Sequence, residues 1–212
     1  MEKEIKLVVV IPTINRADLL NDALAKYFED FKETHIAICD NGNQQIITRE
    51  ENFMIYRPEQ NLGVAGSWNM LMDYSKKIGA THVLVLNDDI YLGKDEQTIK
   101  YLIRHNIEFD FINSFQNWCS FILKIDIWEK AGGFDTEFFP AYFEDNSFDY
   151  KMTLIGAKKT WTSFLDPAIY RNSMTIAKDP ALNSRFIQNR QMYIDMWGGL
   201  PTEEKFTTKF NK

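Results

Sequence analysis

The sequence predicts an α/β fold in which helices flank a central sheet whose first strands are parallel. Three observations favour it: an uninterrupted apolar, β-branched run at residues 7–11, a helical apolar pattern directly after it, and a second round of the same order further along. The chain has 212 residues, of which 45% are hydrophobic, so it can bury one sizeable core. We therefore expect a single domain.

The first half of the chain predicts alternating strands and helices. Pro12 ends the first strand, and Asn15 with Asp18 three residues later resembles a helix capping box. Gly79 is placed to end a later helix as a C-cap. The predicted elements are strands at 7–11, 35–39, Phe53–Tyr56 and His82–Leu86, and helices from about 18 to 27 and from 63 to 79.

The second half predicts shorter elements separated by a Gly132-Gly133 break and an aromatic loop at 138–142. The predicted strands are Phe111–Asn113 and Ser120–Lys124, and the predicted helices are Glu96–His105, 125–131, 145–154 and 180–197.

The charge distribution restricts the possible partners. A formal net charge of -6 argues against a whole-surface electrostatic grip on duplex nucleic acid. Residues 151–212, however, carry ten basic and five acidic side chains, so an acidic ligand has a docking region late in the chain.

The cysteines and the hydropathy indicate the expected compartment. Cys39 and Cys119 lie in apolar stretches without the spacing of a zinc site or a disulfide framework, which fits a reducing cytoplasm. No stretch approaches the roughly 18 apolar residues of a transmembrane span. We expect a cytoplasmic chain without a transmembrane segment.

Two acidic pairs are the strongest candidates for chemistry. Asp88 and Asp89 follow a predicted strand, where two carboxylates can bind Mg²⁺ or Mn²⁺ and, through it, a phosphate-bearing ligand; a turn or helix cap is the alternative. Glu144 and Asp145 lie at the start of a predicted helix, where carboxylates are usually helix caps. Because they also follow the aromatic loop, the alternative is that they include a general base whose pKa is raised by desolvation.

Other signals are weaker. Asp40 ends the second strand, where doubly wound folds contact a nucleoside, but Asp before Asn-Gly is also ordinary in turns. The loop at 12–16 lacks the glycines of a dinucleotide or P-loop site, and the three histidines are scattered, which disfavours a histidine relay. Three aromatic residues in predicted loops either stack on a sugar ring or belong to the core: Trp118, Phe134 and Tyr142.

Six segments together resemble the inverting family 2 glycosyltransferases of the GT-A fold, and the resemblance runs almost end to end. They are VVVIPTINR at 8–16, ICDNGN at 38–43, NLGVAGSWN at 61–69, LVLNDDI at 84–90, GGFDTEFFPAYFED at 132–145 and MYIDMWGGLPTEEKF at 192–206. The resemblance implies a GT-A type, Rossmann-like mixed central sheet flanked by helices. It also implies a nucleotide-binding half at 1–90, an acceptor and catalytic half at 91–179, and a C-terminal helix and tail at 180–212.

The resemblance also implies roles for individual residues. Asp89 would bind the divalent metal, Mn²⁺ or Mg²⁺, and Asp88 would contact the ribose side. Asp145 would be the catalytic base, with Glu144 oriented toward the acceptor. The aromatic residues above would lie on the acceptor side. The nucleotide would be bordered by Pro12, Thr13, Asn15, Arg16, Asp40, Asn61, Gly66 and Asn69.

Several positions depart from the family pattern. Asn87 stands where many members have a third aspartate, and Arg171 stands where a histidine often completes the metal site. Arginine does not ligate a cation but pairs with phosphate, so Arg171 is assigned to the nucleotide. The remaining departures are Trp68, Ser147 and Lys151.

These observations lead to one main hypothesis and two alternatives. The main hypothesis is an inverting hexosyl- or pentosyltransferase that moves a sugar from a nucleotide-sugar, UDP-linked, to a hydroxyl acceptor on a glycan, a lipid-linked glycan or another molecule. The first alternative is the same chemistry on a hydroxymethylated pyrimidine in phage DNA, favoured by the basic late region. The second is a catalytically weak nucleotide- or sugar-binding module. A nucleotidyltransferase is disfavoured, because PTINR is not a glycine-rich basic loop.

Overall fold

The computed structural model describes residues 4–114, 118–162, 164 and 183–212. Within these ranges the strands are β1 (Leu7–Thr13), β2 (His35–Asp40), β3 (Phe53–Tyr56), β4 (His82–Leu86), β5 (Phe111–Asn113), β6 (Ser120–Lys124) and β7 (Lys159–Trp161). The helices are α1 (Ala17–Asp30), α2 (Gly63–Lys77), α3 (Glu96–His105), α4 (Ile125–Lys130), α5 (Glu144–Leu154) and α6 (Phe186–Trp197). Short 3₁₀ turns lie at Thr136–Phe138 and Lys209–Asn211.

The seven described strands form one mixed sheet in the order β3-β2-β1-β4-β6-β5-β7. Strands β3, β2, β1 and β4 are parallel, whereas β6 runs antiparallel to β4 and β5. The predicted α/β fold with a mixed, helix-flanked sheet is confirmed. Because β1, β2 and β4 are parallel, their carboxyl ends lie at one edge, where open α/β sheets bind ligands.

Two hydrophobic cores hold the sheet between helices. In β1, Val9 faces the core shared with α1 and α3, while Val8 and Val10 face the core shared with α2, α4 and α5. All three valines are fully buried. Burying a side chain of this size contributes about 1.5–3 kcal/mol, which explains why the continuous apolar run forms an interior strand of the sheet.

The structure corrects several predicted elements. Strand β1 does not end at Pro12 but continues to Thr13. Asn15 does not cap α1: Arg16 is the N-cap without a side-chain cap bond, and the Gln44 side chain accepts from the Ala17 N–H at 2.6 Å. The last helix begins at Phe186, because residues 183–185 form a turn, and 180–182 lie outside the described residues. Strand β7 was not predicted.

The tail from Gly198 to Lys212 packs on its own chain. The N–H groups of Lys205 and Phe206 donate to the Trp197 carbonyl, and the Tyr150 hydroxyl donates to the Phe206 carbonyl at 3.0 Å. Gly198 has φ +79°, and a Cβ there would lie 2.9 Å from the Phe206 ring. No helix in the described ranges has the length and apolarity to cross a bilayer.

Candidate active site at the carboxyl ends of the strands

Polar side chains from the ends of β1, β2 and β4 form one hydrogen-bonded network. The Thr13 hydroxyl donates to Asp88 Oδ2 at 2.8 Å. The Gln44 amide donates to Thr13 Oγ1 at 3.3 Å and to Asp40 Oδ1 at 3.1 Å. The structure therefore brings together three predicted site residues, Thr13, Asp40 and Asp88, and Gln44 links Asp40 to Thr13.

A buried cation lies beside the acidic pair. Arg16 is 4% exposed and bonds Asp18 at 3.0 Å. The hydrogen bond from Arg16 to Asp18 and the negative charges of Asp18, Asp88 and Asp89 raise the pKa of Arg16. The guanidinium thus stays charged and offsets part of the negative charge of two carboxylates that are each 6% exposed.

Asp40 orders the loop that follows β2. The carboxylate is 1% exposed and accepts from the N–H groups of Gly42 and Gln44, at 3.0 and 2.7 Å, and from Arg57 Nε at 3.1 Å. Pro12 is half-buried within β1, and Asn15 is exposed in a left-handed turn with φ +55°. Asp40 thus fixes the shape of the loop at 40–44.

The start of α2 joins this loop to the aromatic segment of the second half. Asn61 Oδ1 accepts from the Gly63 N–H at 2.8 Å, and the Val64 N–H donates to the Pro140 carbonyl at 2.8 Å. Gly63 has φ +67°, and a Cβ there would lie 2.7 Å from the Pro140 oxygen. A Cβ on Gly66 would meet the Leu62 Cβ at 3.0 Å. Only a glycine at position 63 lets the start of α2 approach the aromatic loop this closely.

Asn69 connects α2 to the Gly-Gly segment. Its Oδ1 accepts from the Phe134 N–H at 2.7 Å and from Trp128 Nε1 at 3.0 Å, and its Nδ2 donates to the Phe134 carbonyl at 2.8 Å. These bonds occupy both ends of the amide, so Asn69 links α2 to α4 and to the segment that follows Gly133.

Glu144 and Asp145 open α5, after two consecutive non-glycine residues in the left-handed region, Tyr142 (φ +77°) and Phe143 (φ +74°). Glu144 is 5% exposed, and its Oε2 has no hydrogen-bond partner among the described residues. Burial and the charge of Asp145 raise the pKa of Glu144 well above its ordinary range. Burial also raises the pKa of Asp145, which is half-buried, although the N–H of Asn146 donates to it at 2.8 Å.

The departures at 147 and 151 complement each other in a buried network around Asp135. Lys151 Nζ lies 2.8 Å from Asp135 Oδ1, and Ser147 and Lys209 also donate to this carboxylate. Trp197 Nε1 donates to Ser147 Oγ at 2.8 Å. Burial alone favours the protonated acid, but the ammonium groups and the Ser147 hydroxyl outweigh it and hold the pKa of Asp135 below its ordinary range. The network ties α5 to α6 and the tail.

Of the three predicted acceptor-side aromatics, two lie in the core. Trp118 is 8% exposed, and its ring centroid is 4.6 Å from that of Phe111; Phe134 is 3% exposed and stacks on Phe148 at 4.1 Å. The surfaces of both rings are used by core packing, because β6 and α5 close over them. Tyr142 is half-buried and contacts the Phe186 ring at 5.2 Å.

The donor set at the strand ends fits a divalent metal that is shared with a substrate. No group of three or more His, Cys, Asp and Glu side chains in the described ranges forms a closed metal site. Mg²⁺, however, is commonly bound by one or two carboxylates plus substrate phosphates and water, and Asp88 and Asp89 supply two carboxylates. Arg171 lies outside the described residues.

Two residues that support the loops of the candidate site were not predicted from the sequence, Gln44 and Asn189. Gln44 had no local signal, because its partners lie in other elements. Asn189 had one: it precedes Tyr193, Met196 and Trp197 by four, seven and eight residues, which puts a polar side chain on the buried face of α6. It is 2% exposed.

The mixed, helix-flanked sheet is of the GT-A type, and its fold is similar to those of solved glycosyltransferases. No family model and no curated protein sequence matches the chain.

Among solved structures, a mannosyltransferase from Pyrobaculum calidifontis in complex with GDP-Man and Mn²⁺ has a TM-score of 0.54 and 12% identity, covering 76% of this chain and 55% of that one. TarS 1-349 of S. aureus in complex with UDP-GlcNAc has a TM-score of 0.57 and 16% identity, covering 75% and 56%. A putative nucleotide-diphospho-sugar transferase from Desulfovibrio desulfuricans G20 has a TM-score of 0.51 and 9% identity, covering 75% and 80%. The chain thus spans little more than half the length of the first two.

Proposed function

We propose that the protein is an inverting glycosyltransferase that moves a hexose or pentose from a UDP-linked donor to a hydroxyl acceptor. The observation that carries the proposal is the pair of carboxylate sites on one GT-A type fold: buried Asp88, bonded to Thr13, with buried Asp89 next to it in the chain, and Glu144 and Asp145 after the aromatic loop. The complexes of similar fold contain GDP-Man with Mn²⁺ or UDP-GlcNAc, which supports a nucleotide-sugar donor.

On the donor side, we assign the nucleotide to the strand-end edge. The set comprises Pro12, Thr13, Asn15, Arg16, Asp40, Asn61, Gly66, Asn69, Asp88 and Arg171; of these, Asp40, Asn61 and Asn69 fix the surrounding backbone through the bonds described above. Asp89, with Asp88 beside it, would hold Mn²⁺ or Mg²⁺, and this ion supplies positive charge that offsets the charge growing on the leaving diphosphate. The buried Arg16 guanidinium adds a second positive charge at the same place.

On the acceptor side, the environments of Glu144 and Asp145 favour different protonation states and therefore different roles. Glu144 is 5% exposed and its Oε2 has no hydrogen-bond partner among the described residues, which favours a proton there. Asp145 accepts a hydrogen bond from the Asn146 N–H, which favours its ionised form, so we assign the charge of the pair to Asp145. Asp145 then takes the proton of the acceptor hydroxyl while the hydroxyl oxygen forms its bond to the anomeric carbon. The bond from that carbon to the diphosphate oxygen breaks on the opposite face, so the configuration inverts. Protonated Glu144 donates a hydrogen bond toward the acceptor.

The test is a pair of amide substitutions compared with a matched control. Asp145→Asn removes the base and should lower the transfer rate about 10²- to 10⁴-fold while donor binding persists. Glu144→Gln keeps a hydrogen-bond donor and should retain more activity. Asp126→Asn makes the same change at an exposed aspartate of α4 and should leave the rate near that of the unmodified protein. Equal rates for Asp145→Asn and Asp126→Asn would refute the assignment.

A nucleic-acid acceptor is the second candidate, favoured by the surface beside the aromatic loop. Arg185 and Arg190 are exposed and form no ion pair with the described residues, and Phe186 between them contacts Tyr142. We infer that this surface would contact the phosphates of DNA carrying a hydroxymethylated pyrimidine. The double variant Arg185→Ala/Arg190→Ala should then bind such a duplex with a weaker salt dependence. The slope of log K against log salt concentration should become shallower by about one unit for each phosphate that the protein no longer neutralises. Unchanged binding relative to Lys130→Ala would exclude this candidate.

A further inference from the structure

Asn189 lies on α6, far along the chain from both carboxylate pairs. Its side chain is hydrogen-bonded to the backbone of the aromatic loop at 138–142. Its Nδ2 donates to the carbonyls of Phe138 and Ala141, both at 2.8 Å, with a longer contact of 3.4 Å to the carbonyl of Tyr142. The side chain is 2% exposed. One amide thus joins both ends of the segment 138–142.

The loop needs such support, because the chain leaves it through two residues with an unfavourable backbone. Tyr142 and Phe143 have φ of +77° and +74°, a region that residues with a Cβ rarely occupy. Their rings pack on α6: Tyr142 on Phe186 at 5.2 Å, and Phe143 on Phe186 at 5.4 Å and on Tyr193 at 5.6 Å. The amide and these rings together fix the direction in which the chain enters α5.

We propose that Asn189 is a positioning residue for the Glu144–Asp145 pair, an inference that rests on the proposed function. The N-cap of α5 is Phe143, so the two carboxylates follow the strained pair without an intervening residue. Any relaxation of the loop therefore rotates or shifts the carboxylates directly. A general base must lie within hydrogen-bond reach of the acceptor hydroxyl, and small displacements cost rate.

The experiment replaces the donor amide without adding charge. Asn189→Leu keeps the branching at Cγ and the number of side-chain heavy atoms and removes both N–H groups, while Gln188→Leu makes a comparable change on the exposed face of α6. Hydrogen–deuterium exchange of peptides covering 138–147 should become faster in Asn189→Leu, whereas exchange at 96–105 stays unchanged. Transfer should fall about 10- to 100-fold, with the thermal shift by donor retained.

A pH profile separates positioning from a loss of folded protein. The pKa of Asp145 is set by its burial, by the Asn146 N–H and by the charge of Asp149, with Glu144 coupled to it. Loosening the loop admits water, so the acidic limb of the rate profile should move to lower pH in Asn189→Leu. A smaller active fraction alone would lower the rate without moving that limb.

The outcomes distinguish this inference from the proposed function. Faster exchange at 138–147 with a lowered rate and a shifted limb supports the positioning role. Exchange and rate equal to those of Gln188→Leu would overturn it, as would faster exchange throughout the chain. If the unmodified protein turned over no nucleotide-sugar, the proposed function would fail with the positioning role, whereas the exchange comparison would still report whether Asn189 holds the loop.

Discussion

The substitution Lys151→Met tests the buried Asp135 network through the free energy of unfolding. The side chains of Asp135 and Lys151 are 3% and 10% exposed, so removing the ammonium leaves a carboxylate that water cannot reach. Breaking such a pair costs about 3–5 kcal/mol. We expect about 3 kcal/mol, the lower end of that range, because Lys209 still contacts Asp135. For a chain of this length the melting temperature should fall by about 6–12 °C.

Urea denaturation followed by circular dichroism at neutral pH measures this cost. Lys130→Met is the matched control, because the Lys130–Asp126 pair is exposed and should contribute less than about 0.5 kcal/mol. The double variant Asp135→Asn/Lys151→Met removes both charges, so its cost should be smaller than the sum of the two single costs. A cost for Lys151→Met as small as that for Lys130→Met would refute the network as a source of stability.

Three further predictions follow from the same contacts. Because the pKa of Asp135 is lower in the folded protein than in the unfolded chain, its stabilisation is complete above about pH 4 and is lost as the pH falls further; acid titration of unfolding should show a weaker loss in Asp135→Asn. Because burial raises the pKa of Asp145, the transfer rate should fall with decreasing pH at a higher pH than an ordinary aspartate gives; a limb at the ordinary position would contradict the base assignment. Gln44→Ala removes the bonds to Ala17, Thr13 and Asp40 and should lower the free energy of unfolding by about 1 kcal/mol, measured by thermal unfolding. Gln45→Ala is the control, because the side chain of this neighbouring residue forms none of these bonds, and it should leave the free energy of unfolding unchanged.

The sequence predicted the central strands well, for a physical reason. Strands β1 and β4 are buried on both faces, so their apolar runs appear without interruption. Gly79, with φ +80°, lies where the pattern placed the end of α2. Local signals of this kind need no knowledge of the rest of the chain.

The errors and omissions involve contacts between distant residues. The N-terminus of α1 is satisfied by Gln44, 27 residues beyond Ala17, and no local pattern reports such a partner. The three-residue strand β7 is a sheet edge whose residues are partly exposed. Such strands lack both the length and the alternation that sequence patterns require.

The acidic residues of the candidate site could be predicted from the sequence, but the buried hydrogen bonds around the site could not. Asp88 and Asp89 follow a buried strand, so their place at the sheet edge followed from the fold. The partners of Ser147 and Lys151 did not, because Asp135, Trp197 and Lys209 come together only when α5, α6 and the tail pack. The two departures from the glycosyltransferase pattern, Ser147 and Lys151, thus belong to one buried hydrogen-bonded network.

The most direct test of the proposed donor site is the thermal shift of the protein with UDP, UDP-sugars and GDP-sugars, with and without Mn²⁺. A ligand present at 100 times its dissociation constant adds about 2.7 kcal/mol, or about 5–11 °C for a chain of this length. We expect a Mn²⁺-dependent shift with a UDP compound that disappears in Asp89→Ala and persists in Asp126→Ala, an exposed aspartate of α4. No shift with any nucleotide, or an equal shift in both variants, would contradict a nucleotide-diphosphate site at the carboxyl ends of the strands.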